Sequence, residues 1–227
     1  MITLQKVTKK YGEAEAISDV SINIKKGEII GFLGPNGAGK TTTMKLIMGL
    51  IRPTVGEIKV DGVEPIRGRM STLPKIGYLP ENNPLYEDMK VFEYLEFVSK
   101  VKQANIESIH LMIEKVDIKS VLDTRIENLS RGYRQRVGLT AAMIGDPSIL
   151  ILDEPTSGLD PLEQEKIKNL IKELSKEKIV IFSTHVLSEV EDIASRLVII
   201  DKGKIVFDGK KPKEKGGVAK LFKKLVS

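Results

Sequence analysis

Residues 34–42 read Gly-Pro-Asn-Gly-Ala-Gly-Lys-Thr-Thr, and nothing else in the chain restricts its fold as tightly. Three glycines within six positions let the backbone bend around a ligand with no Cβ in the way. Successive N–H groups then point inward as a nest for an anion. The pattern Gly-x4-Gly-Lys-Ser/Thr is the Walker A phosphate loop, which requires a strand before it and a helix after it, so that the positive end of the helix faces the phosphates. The flanks agree. Ile29 to Leu33 is a short apolar run bounded by Gly27 and Gly34, and Met44, Ile47, Met48 and Ile51 recur at helical spacing after Gly39. The loop implies nucleotide binding by Gly34, Pro35, Asn36, Gly37, Ala38, Gly39, Lys40, Thr41 and Thr42. Lys40 can reach the β- and γ-phosphates, and Thr41 can place its hydroxyl on Mg²⁺.

The rest of the chain supplies a sheet to carry that loop. Met1 to Thr8 and Ile17 to Ile24 have period-two character with turn residues at Tyr11-Gly12, and Glu57 to Val60 and Ile76 to Leu79 read as further strands. From 85 to 145 the texture is helical, with Val91, Tyr94, Leu95 and Val98 in one pattern and Leu111, Met112 and Val116 in another. Alternation then resumes: strand Ile149 to Leu152, helix Pro161 to Ser175, strand Lys178 to Phe182, helix Leu187 to Ala194, strand Leu197 to Ile200. Such alternation predicts an α/β fold with a mainly parallel sheet flanked by helices. The expected organisation is one domain over 1–227. It comprises a nucleotide-binding core from 1–84 and 146–209 with an N-terminal antiparallel β part, a helical subdomain over 85–145, and a basic tail over 210–227.

Composition narrows the chemistry. The absence of cysteine excludes disulfide frameworks, thiolate metal sites and cysteine nucleophiles. No apolar run approaches the ~18–20 residues of a membrane span, and Met1 to Lys10 lacks an apolar signal core. The expectation is a chain that is neither secreted nor itself membrane-spanning. The net charge of +5 is concentrated in 210–227, where seven lysines face one acid; elsewhere 29 basic residues meet 30 acidic ones. A nucleic-acid binder usually carries its excess on the body of the fold, so no nucleic-acid partner is expected. Within the tail, Val218, Leu221, Phe222 and Leu225 form one apolar stripe. That stripe packs on the core with solvated lysines outside, or lies against an anionic membrane surface or a membrane partner.

Asp153 and Glu154 end the apolar run Ile149 to Leu152. There, at the carboxyl end of a parallel strand, Asp153 can hold Mg²⁺ and Glu154 can polarise a water for attack on the γ-phosphate; an acidic turn is the plainer reading of the pair alone. His185 ends the run Ile179 to Thr184, where it either senses the γ-phosphate or serves structure. His110 reads as a surface residue. Asp160 reads as a helix N-cap, with Pro161 at the first helical position and Glu163 as a capping-box acid.

Between these motifs stands Leu129-Ser130-Arg131-Gly132-Tyr133-Arg134-Gln135-Arg136. It resembles the signature motif, Leu-Ser-Gly-Gly-Gln, of ATP-binding cassette (ABC) proteins. With it the chain is similar to the ATP-binding subunit of an ABC transporter from residue 1 to about 210, every motif in family order. The resemblance implies a P-loop NTPase fold and ATPase activity with ATP and Mg²⁺. It gives Tyr11 the adenine-stacking position. Glu81 takes the Q-loop position near metal and water, alongside the metal-site residues Thr41 and Asp153. Glu154 and His185 become the catalytic glutamate and switch histidine, and Ser157 and Asp160 part of the D-loop. Ser130, Arg131, Gly132 and Tyr133 would act in trans, across a head-to-tail homodimer, or heterodimer with a related cassette, that sandwiches ATP.

Arg131, Tyr133 and Glu81 depart from the commonest family residues in the manner of subunits serving ABC-2 type exporters. The implied partner is a separately encoded membrane-spanning permease, docked near Glu81 to Tyr86, which would hold the chain peripherally at the cytoplasmic face of the cell membrane. A soluble single-cassette ATPase, such as an iron–sulfur assembly scaffold, has the same length. DNA-repair members carry longer insertions than 41–129 allows, translation factors carry two cassettes, and a GTPase would carry an Asn-Lys-x-Asp reader.

Overall fold

Alternating residues in the first sixty positions build an antiparallel sheet that sits over a buried parallel one. In the computed structural model, which describes residues 1–226 apart from the Ser108 side chain, the chain runs β1 (Ile2–Tyr11), β2 (Ala14–Ile24), β3 (Ile29–Leu33), α1 (Lys40–Ile47) and β4 (Val55–Val60). It continues through α2 (Arg69–Thr72), β5 (Ile76–Leu79), α3 (Val91–Lys102), α4 (Ile106–Val116) and α5 (Arg131–Met143). Then come β6 (Ile149–Asp153), α6 (Pro161–Leu174), β7 (Ile179–Ser183), α7 (Leu187–Ile193), β8 (Arg196–Asp201), β9 (Lys204–Lys210) and α8 (Gly217–Leu225). The three-stranded sheet has the order β2-β1-β4, and the six-stranded sheet the order β5-β6-β7-β3-β8-β9. All pairs of the larger sheet are parallel except β8 with β9.

Both faces of the larger sheet are covered along its central strands, which is why β6, β7, β3 and β8 are continuous apolar runs. Leu150, Leu152, Val180, Phe182, Leu197 and Ile199 face the helices of one cluster; Ile149, Ile151, Ile179, Ile181, Val198 and Ile200 face α1 and the antiparallel sheet in the other. Each fully buried side chain of this kind contributes about 1.5–3 kcal/mol before ordering costs. The antiparallel sheet bends at two bulges, where Lys6 and Asp19 take positive φ and their N–H groups donate to Ser21 Oγ and Thr8 Oγ1 at 2.9 and 3.0 Å.

Two details differ from the sequence expectation, and a third decides between the places it left open for the tail. β9 joins β8 through a tight turn at Lys202-Gly203, both at positive φ, as a hairpin turn requires. Its half-exposed alternation marks an edge strand, and Lys210 closes it rather than opening a tail. Asp160 caps α6 as expected, accepting from the N–H groups of Leu162 and Glu163 at 3.0 Å. Glu163 does not complete a capping box, because its carboxylate pairs with the buried Arg136 guanidinium instead. Third, the tail docks on the body of the fold. Glu191 of α7 accepts from the backbone N–H groups of Gly216 and Val218 at 3.1 and 3.0 Å, Val218 is fully buried, and Leu221, Phe222 and Leu225 pack on the helical cluster while Lys220, Lys223 and Lys224 stay exposed.

The helices between β5 and β6 pack on one another and on the sheet. Lys102 of α3 donates to the carbonyls of Ala141, Ala142 and Ile144 at 2.8, 3.1 and 3.1 Å, taking up the orphan acceptors at the end of α5. Burial pulls the Lys102 ammonium down to about 8.

Candidate active site

Four neighbouring parallel strands, β5, β6, β7 and β3, end on one edge of the sheet, and each delivers a functional segment there. Glu81 lies two residues past β5, Asp153 ends β6, Ser183 ends β7 with His185 two residues on, and the 34–39 loop follows β3. Asn36 to Thr42, Glu81, Asp153, Glu154 and His185 line a single cleft of about 410 Å³. This is the crevice outside the carboxyl ends of the strands, where α/β sheets bind ligands.

The loop is shaped by the chain behind it. Gly39 has φ of 111°, and a Cβ there would lie 2.7 Å from the Ala16 carbonyl oxygen, so neither the conformation nor the space admits another residue. Lys40 opens α1 and donates to the carbonyls of Gly34 and Pro35 at 2.6 and 3.1 Å, drawing the loop closed. Burial lowers the Lys40 pKa, opposed by the carboxylates of Glu154, Asp153 and Glu81 across the cleft.

Asp153 is held between two hydroxyls: Ser183 donates to Oδ1, and Thr41 to Oδ2 at 3.4 Å. Ser183 also accepts from the Glu154 N–H, at 3.2 Å through both its Oγ and its carbonyl oxygen. Those bonds fix Glu154 at a φ of 51°, a left-handed conformation that costs a non-glycine residue about 1–3 kcal/mol. The result is a buried carboxylate aimed at the cleft. His185 Nδ1 lies 2.9 Å from Glu154 Oε2; with the carboxylate accepting, Nδ1 carries the hydrogen of this bond. Burial raises the Glu154 pKa above the usual carboxylate value, partly offset by this bond to His185.

A hydroxyl and a carboxylate meeting at 3.4 Å are hard oxygen donors, as Mg²⁺ prefers. Among the described residues no cluster of three or more His, Asp or Glu side chains forms a metal cage. Mg²⁺ takes one or two protein ligands and completes its shell with substrate phosphates and water, so this hydroxyl and carboxylate fit it.

The remaining sequence-predicted residues lie elsewhere. Tyr11 stands exposed at the tip of the β1–β2 hairpin, with the Lys9 ammonium 5.0 Å from its ring centroid; it is outside the residues lining the cleft. Ser130 to Tyr133 open α5. Ser130 is its N-cap and accepts from the Tyr133 N–H at 3.4 Å. The Arg131 guanidinium lies on the Gly158 backbone, where a Cβ would collide with it, and reaches Ser157 Oγ at 3.5 Å. Gly132 faces Glu163. Tyr133 stands 5.5 Å beneath Arg136, its hydroxyl 3.3 Å from Ser120 Oγ. Ser130 and Arg131 are exposed and outside the cleft of their own chain.

Sequence reasoning missed the connectors. Gln135 donates to the Pro155 carbonyl at 2.9 Å, and Asn83 to the Arg134 carbonyl at 2.9 Å, tying α5 to the loops of Glu154 and Glu81. Ser183 was also missed, though its place at the end of a strand beside Thr184-His185 was the available signal.

A family model described as ABC transporter matches residues 17–157. The lantibiotic transport ATP-binding protein SrtF of Streptococcus pyogenes is 35% identical over 92% of this chain and 90% of its own. A dimeric ATP-binding cassette, solved in a post-hydrolysis state bound to ADP and Pi, superposes with a TM-score of 0.85 at 27% identity over 94% of this chain and all of that one. The cbiO1 protein of Clostridium perfringens, part of the ABC transporter complex cbiONQ, superposes with a TM-score of 0.83 at 25% identity over 98% of this chain and 90% of that one.

Proposed function

This chain belongs to the ABC transporter family as an ATP-binding, ATP-hydrolysing subunit, and from that premise we propose that it closes as an ATP-sandwiched dimer to drive export through a separate membrane-spanning permease. One observation carries the proposal: the phosphate loop, Asp153, Glu154 and His185 converge in one cleft, while the signature residues Ser130 to Tyr133 lie outside it at the start of α5, with Ser130 and Arg131 exposed. A site with an outward-facing second half is completed by a second chain. Two-fold symmetry then sets each signature over the partner's triphosphate. ATP holds the halves together through the γ-phosphate, and hydrolysis removes that bridge. The dimeric cassette bound to ADP and Pi supports this reading.

The residues divide the chemistry. Lys40 and the 34–42 backbone bind the polyphosphate. Glu154 takes the proton of the attacking water, and its raised pKa makes it a stronger base. His185 orients the Glu154 carboxylate through Nδ1–H, and when Nε2 also carries a hydrogen it can donate to the γ-phosphate. Thr41 and Asp153 would hold Mg²⁺, with Glu81 beside them; when bound, the ion neutralises charge on the phosphates. Glu81→Gln should change hydrolysis by the isolated chain by less than about threefold, because Thr41 and Asp153 still hold the metal. A loss as deep as that of a Glu154 variant, measured in the same phosphate-release assay, would make Glu81 a catalytic residue.

The permease surface lies beside the Glu81 loop. Tyr86 and Phe97 are 55% and 39% exposed, with ring centroids 5.5 Å apart, and Val101 next to them is 66% exposed. Aromatic clusters of this sort anchor protein interfaces. Asn83 links this loop to α5, so a push from a docked partner reaches the signature residues. No helix among the described residues is long and apolar enough to cross a membrane, and attachment through the permease at the cytoplasmic face fits that fact. The lantibiotic-transport relative and the complex-forming cbiO1 support transport with separate subunits.

The test is purification of the chain with the products of its chromosomal neighbours. A polytopic membrane protein should co-purify, and Phe97→Glu should weaken that association by about tenfold or more, as hot-spot losses do. Co-purification with soluble assembly factors alone would overturn the transport reading.

A further inference from the structure

Glu189 is only 4% exposed, and nothing in the chemistry above uses it. It lies in the first turn of α7. Its Oε1 accepts from Thr156 Oγ1 at 2.6 Å, and its Oε2 from Thr184 Oγ1 at 2.7 Å. Both threonines are buried. Thr156 belongs to the turn that follows Glu154, and Thr184 directly precedes His185. Thr184 Oγ1 also accepts from the Val186 N–H at 3.0 Å, which fixes the turn on the far side of the histidine.

One carboxyl group therefore grips both turns that carry the Glu154–His185 pair. The other ties on the first turn come from different directions: β7 holds the Glu154 N–H, and α5 holds the Pro155 carbonyl. Glu189 adds a bridge between the Glu154 turn and the His185 turn through Thr156 and Thr184. A buried carboxyl satisfied by two neutral hydroxyls is a costly way to fill space, and apolar residues of similar volume do so more cheaply. Its use here is geometric: the two grips are short, lie on opposite oxygens, and leave little freedom for the turns to separate.

We propose that Glu189 is a positioning residue for hydrolysis, holding Glu154 and His185 at their working separation by bridging Thr156 and Thr184. The proposal rests on the reading of Glu154 as the base. It predicts a defect in the chemical step and not in nucleotide capture, because among the described residues the hydrogen bonds of the bridge run to the Glu154 and His185 turns and not to the 34–42 loop.

Steady-state hydrolysis of Mg-ATP by the full chain tests it, with the melting temperature of each variant checked beside it. Glu189→Ala should lower kcat by about 10- to 100-fold, the range for a misplaced catalytic group, with KM for ATP within about threefold of the parent. Glu189→Gln should bring kcat back to within about threefold of the parent. Its amide can accept from one threonine hydroxyl and donate to the other oxygen. Thr156→Val cuts one grip without changing side-chain volume, so it should lower kcat in the same sense and add little in the Glu189→Ala background. A folded Glu189→Ala chain with kcat within threefold of the parent would overturn the proposal, as would Gln failing as badly as Ala. Should Glu189→Ala not fold, unchanged kcat in Thr156→Val would overturn it. Glu154→Gln, run in parallel, separates the two readings: if it keeps full hydrolysis, the assignment of the base is what fails.

Discussion

Replacing Glu154 with glutamine should leave ATP binding intact and slow hydrolysis by roughly 10²–10⁴-fold, the usual size of a general-base contribution. The change keeps the shape of a side chain whose placement is set by its backbone. Glu154 is held at positive φ by Ser183 and stays opposite His185, and the amide oxygen can still accept from the ring at the 2.9 Å separation. What is lost is proton affinity at one oxygen, the feature that burial has raised in this carboxylate. Nucleotide capture depends on the 34–42 loop across the cleft. Single-turnover phosphate release, set against equilibrium binding of a fluorescent ATP analogue, checks both halves. Equal losses in binding and in rate would mean that Glu154 holds the nucleotide instead of the water.

Lys40→Ala should do the reverse. The Lys40 ammonium is the one cation lining the cleft among the described residues, apart from His185 when protonated, and three carboxylates face it. Its removal takes away charge-assisted hydrogen bonds to two phosphates, each about 1.5–3 kcal/mol. It also leaves Asp153, Glu154 and Glu81 to repel the triphosphate. At 1.4 kcal/mol per tenfold, affinity should fall by about 10²-fold or more. The fold should survive, since Lys40 donates only to the carbonyls of Gly34 and Pro35, at the mouth of the loop. Isothermal titration with Mg-ATP measures the loss, and retained micromolar affinity would contradict the role given to the lysine.

The halves of the site that are continuous in sequence are legible in the residues themselves. Residues 34–42 and Ile149 to Glu154 carry their own context: an apolar strand, then the chemistry, then a helix or turn. Apolar run length ends strands at Leu33, Leu152 and Phe182, the last two one residue short of the observed ends at Asp153 and Ser183, and a parallel sheet brings such ends together. The connectors are not legible in this way. Glu189, Gln135 and Asn83 act through partners 33, 20 and 51 residues away, and no local pattern marks them. Glu163 shows the opposite failure. Its spacing from Asp160 fits a capping box, but a buried guanidinium, Arg136, claims the carboxylate once the helices pack. β9 escaped because an edge strand with half-exposed alternation lacks the apolar run that betrays a central strand.

The tail shows what a stripe alone leaves open. Val218, Leu221, Phe222 and Leu225 predict an amphipathic helix but not its partner. The deciding contacts come from Glu191, whose carboxylate takes the N–H groups at the start of α8 and seats the stripe on the helical cluster.

The central claim is that ATP itself joins two copies of this chain, each supplying Ser130 to Tyr133 to the other's phosphate loop. Light scattering of Glu154→Gln in Mg-ATP and in Mg-ADP tests it directly, because hydrolysis is blocked and the bridging γ-phosphate persists. The account predicts a dimer with ATP and a monomer with ADP, and a return to monomer with ATP when Ser130→Glu puts a carboxylate where the partner's phosphate must sit. A Glu154→Gln chain that binds Mg-ATP yet stays monomeric would contradict it.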